Sequence, residues 1–277
     1  MLPALVKLCC GISYPHLRSM SSLQRTAVAV IGQEITHLQQ HKYMELHTRP
    51  HAALNYSEPS GTSMKEESLM FVEEGVGAMR KALKLLEDKE GWKMEIKESN
   101  GDVVFSKVTE GSRKVFMLQA VLDASMDELY DILFLRVEEM HKWNPNVQKI
   151  QILKHVGPQT VVTHEVSAER AGNLIGQRDF LSVRHSCRQK SCVYLGGTAI
   201  HLESFPPQTG FVRGEDGPTC IVIEDMMDDG SPRSRFTWLL NMDVKGWLPT
   251  SIVNQALPRE QLDFTRHLRT RLTAGVS

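Results

Sequence analysis

Hydrophobic positions along this chain change their spacing several times, and each change marks an element. From Ser63 onward Leu69, Val72, Val76, Met79, Leu83 and Leu86 recur every three or four residues, as on one face of a helix. Ser63 and Glu66 have capping-box spacing and Gly91 follows the last apolar position, so a helix is expected between them. Three runs rich in β-branched and aromatic residues come next: Trp92 to Glu98, Val103 to Thr109 and Val115 to Leu122. Asn100-Gly101 is a hairpin signal, so these runs predict an antiparallel meander. Helical spacing returns from Asp123 to Trp143, with Ser125 as cap and Leu129, Ile132, Leu133, Val137 and Met140 as the stripe; Asn144-Pro145 stops it.

Strand-like runs then follow without a long helix: Val147 to His155, Thr160 to Ser167, Phe180 to Cys187, Cys192 to Ile200, Gly210 to Arg213, Thr219 to Glu224 and Arg235 to Val244. Gly157-Pro158 and Asp228-Asp229-Gly230-Ser231-Pro232 are turns between them. Behind Pro249, Val253, Leu257, Gln261, Phe264, Leu268 and Leu272 form a closing helical stripe at steps of 4, 4, 3, 4 and 4. Pro258 lies inside it. An interior proline removes a hydrogen bond at a cost of ~3 kcal/mol unless a kink absorbs it, so a bend is expected near Gln255 to Leu257. The order of elements predicts an α+β fold in which a curved antiparallel β-sheet wraps a long C-terminal helix.

Composition narrows the classes. A 41% hydrophobic, 23% charged chain of 277 residues can bury a real core, and its formal net charge of -1 provides no basic field for nucleic acid. Five cysteines, Cys9, Cys10, Cys187, Cys192 and Cys220, are odd in number and form no CxxC pair, which favours reduced thiols over a disulfide framework or a zinc site. His37 and His41 lack the glutamate of a zinc-protease motif, and no metal or cofactor is expected. No acid precedes Glu34, while Lys7, Arg18 and Arg25 interleave with an amphipathic apolar pattern. Residues 1–38 therefore read as a mitochondrial targeting presequence, with a frayed terminus of accidental composition as the alternative. Residues 39–62, with Pro50, Pro59 and Gly61, read as a linker, and 63–277 as the folded domain.

The stretch from Thr163 to Arg184 concentrates the chemistry. Side chains alternate along a strand, so Thr163, Glu165 and Ser167 share one face, as do Phe180, Ser182 and Arg184. Either those faces oppose each other and an acid meets a guanidinium inside the fold, or both charges lie on a solvated face. Ser191 follows Arg188-Gln189-Lys190, a basic context that makes it a candidate phosphosite.

Several phrases in one order carry a family resemblance: Leu8-Cys9, Glu90-Gly91-Trp92-Lys93, Glu139-Met140 with Trp143-Asn144-Pro145-Asn146-Val147, Gly172-Asn173-Leu174, Gly176 with Arg178-Asp179-Phe180, Gly217-Pro218-Thr219-Cys220, Thr237-Trp238-Leu239-Leu240 and Lys245-Gly246-Trp247-Leu248-Pro249. They resemble the START lipid-transfer domains. The resemblance implies a helix-grip fold with an internal lipid cavity for one sterol, and it places Glu165 and Arg184 inside as the polar pair. Strand alternation and the helix stripe then make Val147, Leu195, Leu240, Phe264 and Leu268 candidate wall residues, with plain core as their other reading. Gly172, Asn173 and Gly176 belong to a candidate gate loop.

The implied function is noncatalytic: binding cholesterol and moving it to the inner mitochondrial membrane for steroid hormone synthesis. The implied protein is a monomer whose partners are cholesterol and the outer mitochondrial membrane surface with its proteins. Two other classes stay in view, a mitochondrial surface adaptor and a sterol-modifying enzyme. For the enzyme the chain holds no G-x-S-x-G, P-loop, dinucleotide or HExxH motif.

Overall fold

Helix α1 runs from Gly61 to Glu87, so Ser63, expected as its cap, lies within the helix. The computed structural model describes residues 61–109, 113–169, 177–226 and 230–274. The expected presequence and nearly all of the expected linker fall outside them. Strands β1 (Lys93–Lys97), β2 (Val103–Val108) and β3 (Lys114–Leu122) form the expected meander. Gly101, at φ 94°, takes the left-handed position that its hairpin requires.

The run from Asp123 to Trp143 is not one helix. Ser125 does cap a short helix α2 (Met126–Tyr130), accepting from the Glu128 amide at 3.1 Å. The chain then widens into a π turn at Asp131–Leu135 and tightens into a 3₁₀ stretch at Val137–Lys142, hinged on Arg136 with φ −107° and ψ 35°. Leu133, Phe134 and Met140 of this stretch line the cavity described below.

Next come β4 (Val147–His155), β5 (Thr160–Ser167), β6 (Arg178–Arg188), β7 (Cys192–Ala199), β8 (Val212–Arg213), β9 (Glu215–Asp216), β10 (Thr219–Met226), β11 (Arg233–Leu240) and β12 (Met242–Asp243). Among the described residues the main sheet has the order β1-β2-β3-β11-β10-β7-β6-β5-β4, with β8 alongside β6. Its neighbours are antiparallel apart from β6 and β8, and β3 on β11 joins the first meander to the last strands. The expected strand Arg235 to Val244 is split. Beyond Asn241 the chain leaves the main sheet, and β12 pairs with β9. Asn241 marks the departure: its carbonyl accepts the Gly217 amide at 2.7 Å, and its side chain lies where a Cβ on Gly217 would stand.

Alternation along the strands sorts residues onto two faces. Phe105, Met117, Tyr194, Cys220, Val222 and Leu239 pack with Val76, Met79, Ala82, Leu83 and Leu86 of α1. Val104, Leu118, Val193, Leu195, Ile223, Phe236 and Leu240 point the other way, towards the closing helix α3 (Thr250–Ala274) and its Leu257, Leu262, Phe264, Leu268 and Leu272. Helix α3 continues through Pro258, which is buried within it. Cys187, Cys192 and Cys220 are buried and form no disulfide among the described residues, and burial pushes the Cys192 thiol up to about 12. No described helix is long and apolar enough to cross a membrane.

Candidate functional site

Between the concave face and α3 lies a cavity of about 430 Å³, within the ~300 to 1,000 Å³ of small-molecule sites. Its walls come from three parts of the fold: Leu133 and Phe134 of the π turn, Val147, Phe180, Leu195, Ile221, Trp238 and Leu240 of the sheet, and Val253, Leu257 and Phe264 of α3. Phe264 is a hub, its ring 4.9 Å from Trp238 and 5.4 Å from Trp143. One turn further along α3, Leu268 is fully buried in the core and does not line the cavity. The hollow ends at Phe264, and beyond it α3 packs directly on β2 and β3. Of the five wall residues expected from sequence, Val147, Leu195, Leu240 and Phe264 face the hollow and Leu268 is core.

The far half of α3 is pinned to the sheet. Asp102, buried in the turn between β1 and β2, accepts from both terminal nitrogens of Arg269 at 2.6 Å and from Thr265 Oγ1 at 3.2 Å. The near half, from Ile252 to Glu260, forms one wall of the cavity.

Glu165 and Arg184 meet inside the fold, but not as cross-strand neighbours. In the β5–β6 register Glu165 stands opposite Phe180, Thr163 opposite Ser182 and Val161 opposite Arg184. The long Arg184 side chain therefore runs diagonally. Its Nε donates to Thr163 Oγ1 at 3.1 Å on the way and its Nη2 reaches Glu165 Oε2 at 2.8 Å. A planar guanidinium fork suits this double reach, which a lysine would not reproduce. Both side chains are 26% exposed, and since both line the cavity that exposure is to the hollow. Burial accordingly pushes the Glu165 carboxyl above its ordinary value, more strongly than Arg184 pulls it down.

Two polar residues that sequence reasoning did not single out complete this end. Asp216 of β9 lines the cavity and accepts from Ser182 Oγ at 2.9 Å, while its backbone carbonyl accepts from Thr198 Oγ1 at 3.2 Å. Burial pushes the Asp216 carboxyl up as well, against the Ser182 bond and the Arg184 charge. Asp216 sits on a two-residue strand with no periodicity to reveal it. Ser182, by contrast, shares the Arg184 face and was within reach of the alternation argument.

A second buried cluster holds the neighbouring strands. Asp179 accepts from Arg213 Nη2 at 2.8 Å and pairs with His164 Nε2 at 3.0 Å. Burial raises the Asp179 carboxyl's pKa, but these partners more than reverse it and hold the group below its ordinary value. Arg178 donates to the carbonyls of Val244 and Lys245 at 3.2 and 3.4 Å, which ties β6 to the Lys245-Gly246 turn. That turn is left-handed at both positions, with φ 49° and 77°. The candidate gate residues Gly172, Asn173 and Gly176 lie outside the described residues. Ser191 is exposed in the β6–β7 turn, and its carbonyl accepts the Asp225 amide at 3.0 Å.

A long antiparallel sheet closed by one helix over a hollow is an α+β arrangement of the helix-grip type. The chain belongs to the START domain family, whose model matches residues 77–275. Along nearly its full length it is similar to the mitochondrial steroidogenic acute regulatory proteins of Rattus norvegicus and Danio rerio. The rat protein is 45% identical over 280 residues, covering 99% of this chain and 98% of the relative. The zebrafish protein is 42% identical over 277 residues, with 99% and 97% covered. In architecture it is similar to human StAR-related lipid transfer protein 5, at a TM-score of 0.68 and 21% identity, covering 76% of this chain and all of the other.

Proposed function

We propose that this chain is a noncatalytic cholesterol carrier that supplies the inner mitochondrial membrane for steroid hormone synthesis. The observation that carries this reading is the cavity of about 430 Å³, mainly apolar and with Glu165 and Arg184 paired inside it, in a chain similar end to end to mitochondrial steroidogenic acute regulatory proteins. A sterol is an apolar body with one hydroxyl. That hydroxyl costs about 1–3 kcal/mol if it is buried unpaired, and Glu165 and Arg184 stand where they can satisfy it.

Residues 1–38 direct the chain to mitochondria, 39–62 link them to the domain, and the domain acts as a monomer at the outer mitochondrial membrane and its proteins. Exit of the ligand follows displacement of the near half of α3, while the Asp102 clamp retains the far half. Native mass spectrometry of protein purified from a sterol-fed host is the direct test. One sterol mass per chain is expected, and an empty chain despite abundant sterol would overturn the carrier reading. A disulfide joining the near half of α3 to the sheet is expected to block vesicle-to-vesicle transfer until it is reduced.

A further inference from the structure

The polar end of the cavity holds more acid than base. Glu165 of β5 and Asp216 of β9 both line it, beside the guanidinium of Arg184. Arg184 is engaged with Glu165 at 2.8 Å and Thr163 at 3.1 Å, whereas Asp216 has Ser182, an uncharged donor, at 2.9 Å. Arg178 of β6 and Glu260 of α3 also line the cavity, one cation and one anion that add no net charge: Arg178 donates to the carbonyls of Val244 and Lys245, and Glu260 accepts from Asn146 Nδ2 at 3.1 Å. On the paired strands, Glu215 of β9 bridges to Lys245, and Asp243 of β12 to Lys245 and Arg113. From β7 comes only Thr198, to the Asp216 carbonyl. Two carboxylates against one guanidinium leave a negative charge without a counter-cation in a low-dielectric space, and holding one proton relieves it.

We propose that Asp216 contacts the ligand and that Glu165 and Asp216 keep one proton between them, so that a neutral carboxyl O–H joins Arg184 in facing the oxygen of an uncharged ligand. Burial pushes both carboxyls above their ordinary values, in keeping with this arrangement. The proposal rests on the reading of the cavity as a sterol site and narrows it. Apolar molecules with a hydroxyl or a ketone are accepted, because the end supplies donors as well as acceptors. Apolar molecules with a carboxylate there are refused, because a further negative charge has no cation to meet.

The experiment measures competition with radiolabelled cholesterol from mildly acidic to mildly alkaline pH, on the whole protein and on Asp216→Asn and Ser182→Ala. Cholestenone, and cholesteryl hemisuccinate against its methyl ester, serve as competitors. Infrared spectra report the carboxylic-acid C=O band. In the unaltered protein, cholesterol affinity falls about tenfold or more as pH rises, cholestenone competes, and the methyl ester outcompetes the hemisuccinate. In Asp216→Asn the fall with pH disappears, whatever the absolute affinity, and the acid band weakens. In Ser182→Ala the fall moves to higher pH, because the lost hydroxyl no longer favours the ionised Asp216; this variant decides the matter if Asp216→Asn does not fold.

Cholesterol binding by the unaltered protein that is independent of pH, or an unchanged pH fall in Asp216→Asn, overturns the assignment of Asp216 and leaves the sterol reading standing. No cholesterol binding at any pH overturns the sterol reading, and the ligand contact of Asp216 with it.

Discussion

The two faces of the sheet carry the same alternating apolar pattern, yet one is filled and the other is hollow. On the filled face α1 approaches so closely that a Cβ on Gly196 would stand 2.7 Å from Met79 Cβ, and one on Gly75 would stand 2.8 Å from His185 Cβ. Glycine is what permits that approach. On the other face the rings of Trp143, Trp238 and Phe264 gather where α3 stops packing on the sheet, and the near half of the helix spans open volume. Both helices bury an apolar stripe. Whether a stripe seals a core or roofs a chamber depends on the size of what stands between helix and sheet.

The largest effect expected from breaking this contrast is at Arg184. Arg184→Leu strands Glu165 on the hollow face and is expected to lower stability by about 3–5 kcal/mol where Glu165 is charged, with loss of sterol transfer. A carboxyl whose folded pKa is raised contributes stability that is present below its unfolded pKa and lost as pH rises through the folded one. The deficit of Arg184→Leu should therefore shrink on mild acidification, read by denaturant melts at two pH values. Unchanged melting and binding would remove both residues from the site.

Next in size is a paired truncation. Leu83→Ala opens a void in the close-packed α1 face and should cost about 2–5 kcal/mol. Leu240→Ala trims a wall that already lacks neighbours on one side, so it should cost at least ~1 kcal/mol less. Equal costs in the same denaturant series would mean that the two faces are packed alike. Filling the hollow sharpens the contrast from the other side. Val147→Phe is expected to weaken cholesterol binding by about 10- to 200-fold while the melting curve moves little. The smallest effect belongs to neither face: Asp127→Ala removes an exposed ion pair with Arg188 and should change stability by less than about 1 kcal/mol.

Much of the framework was legible because period-2 and period-3.6 patterns are local. The meander β1 to β3, the strands β4 to β7 and the stripe of α3 lie within a few residues of their expected bounds. The failures share a cause. The Asp123 to Trp143 run has helical spacing, but the chain passes there through a π turn and a 3₁₀ stretch that no apolar period announces. Leu268 has the same place in the stripe as Phe264, and only the end of the hollow between them makes one core and the other wall. Asp216 escaped notice because a two-residue strand has no period.

The order of residues determined by itself which side chains share a face of each strand and helix, since alternation and helical phase follow from backbone geometry alone. It also determined, through family likeness over almost its whole length, that a START domain would form. Tertiary structure alone decided that Arg184 crosses Thr163 to reach Glu165, that Asp216 joins them from a different small sheet, and that volume remains between sheet and helix. Those outcomes depend on register and separation between segments far apart in the chain, which no local pattern encodes.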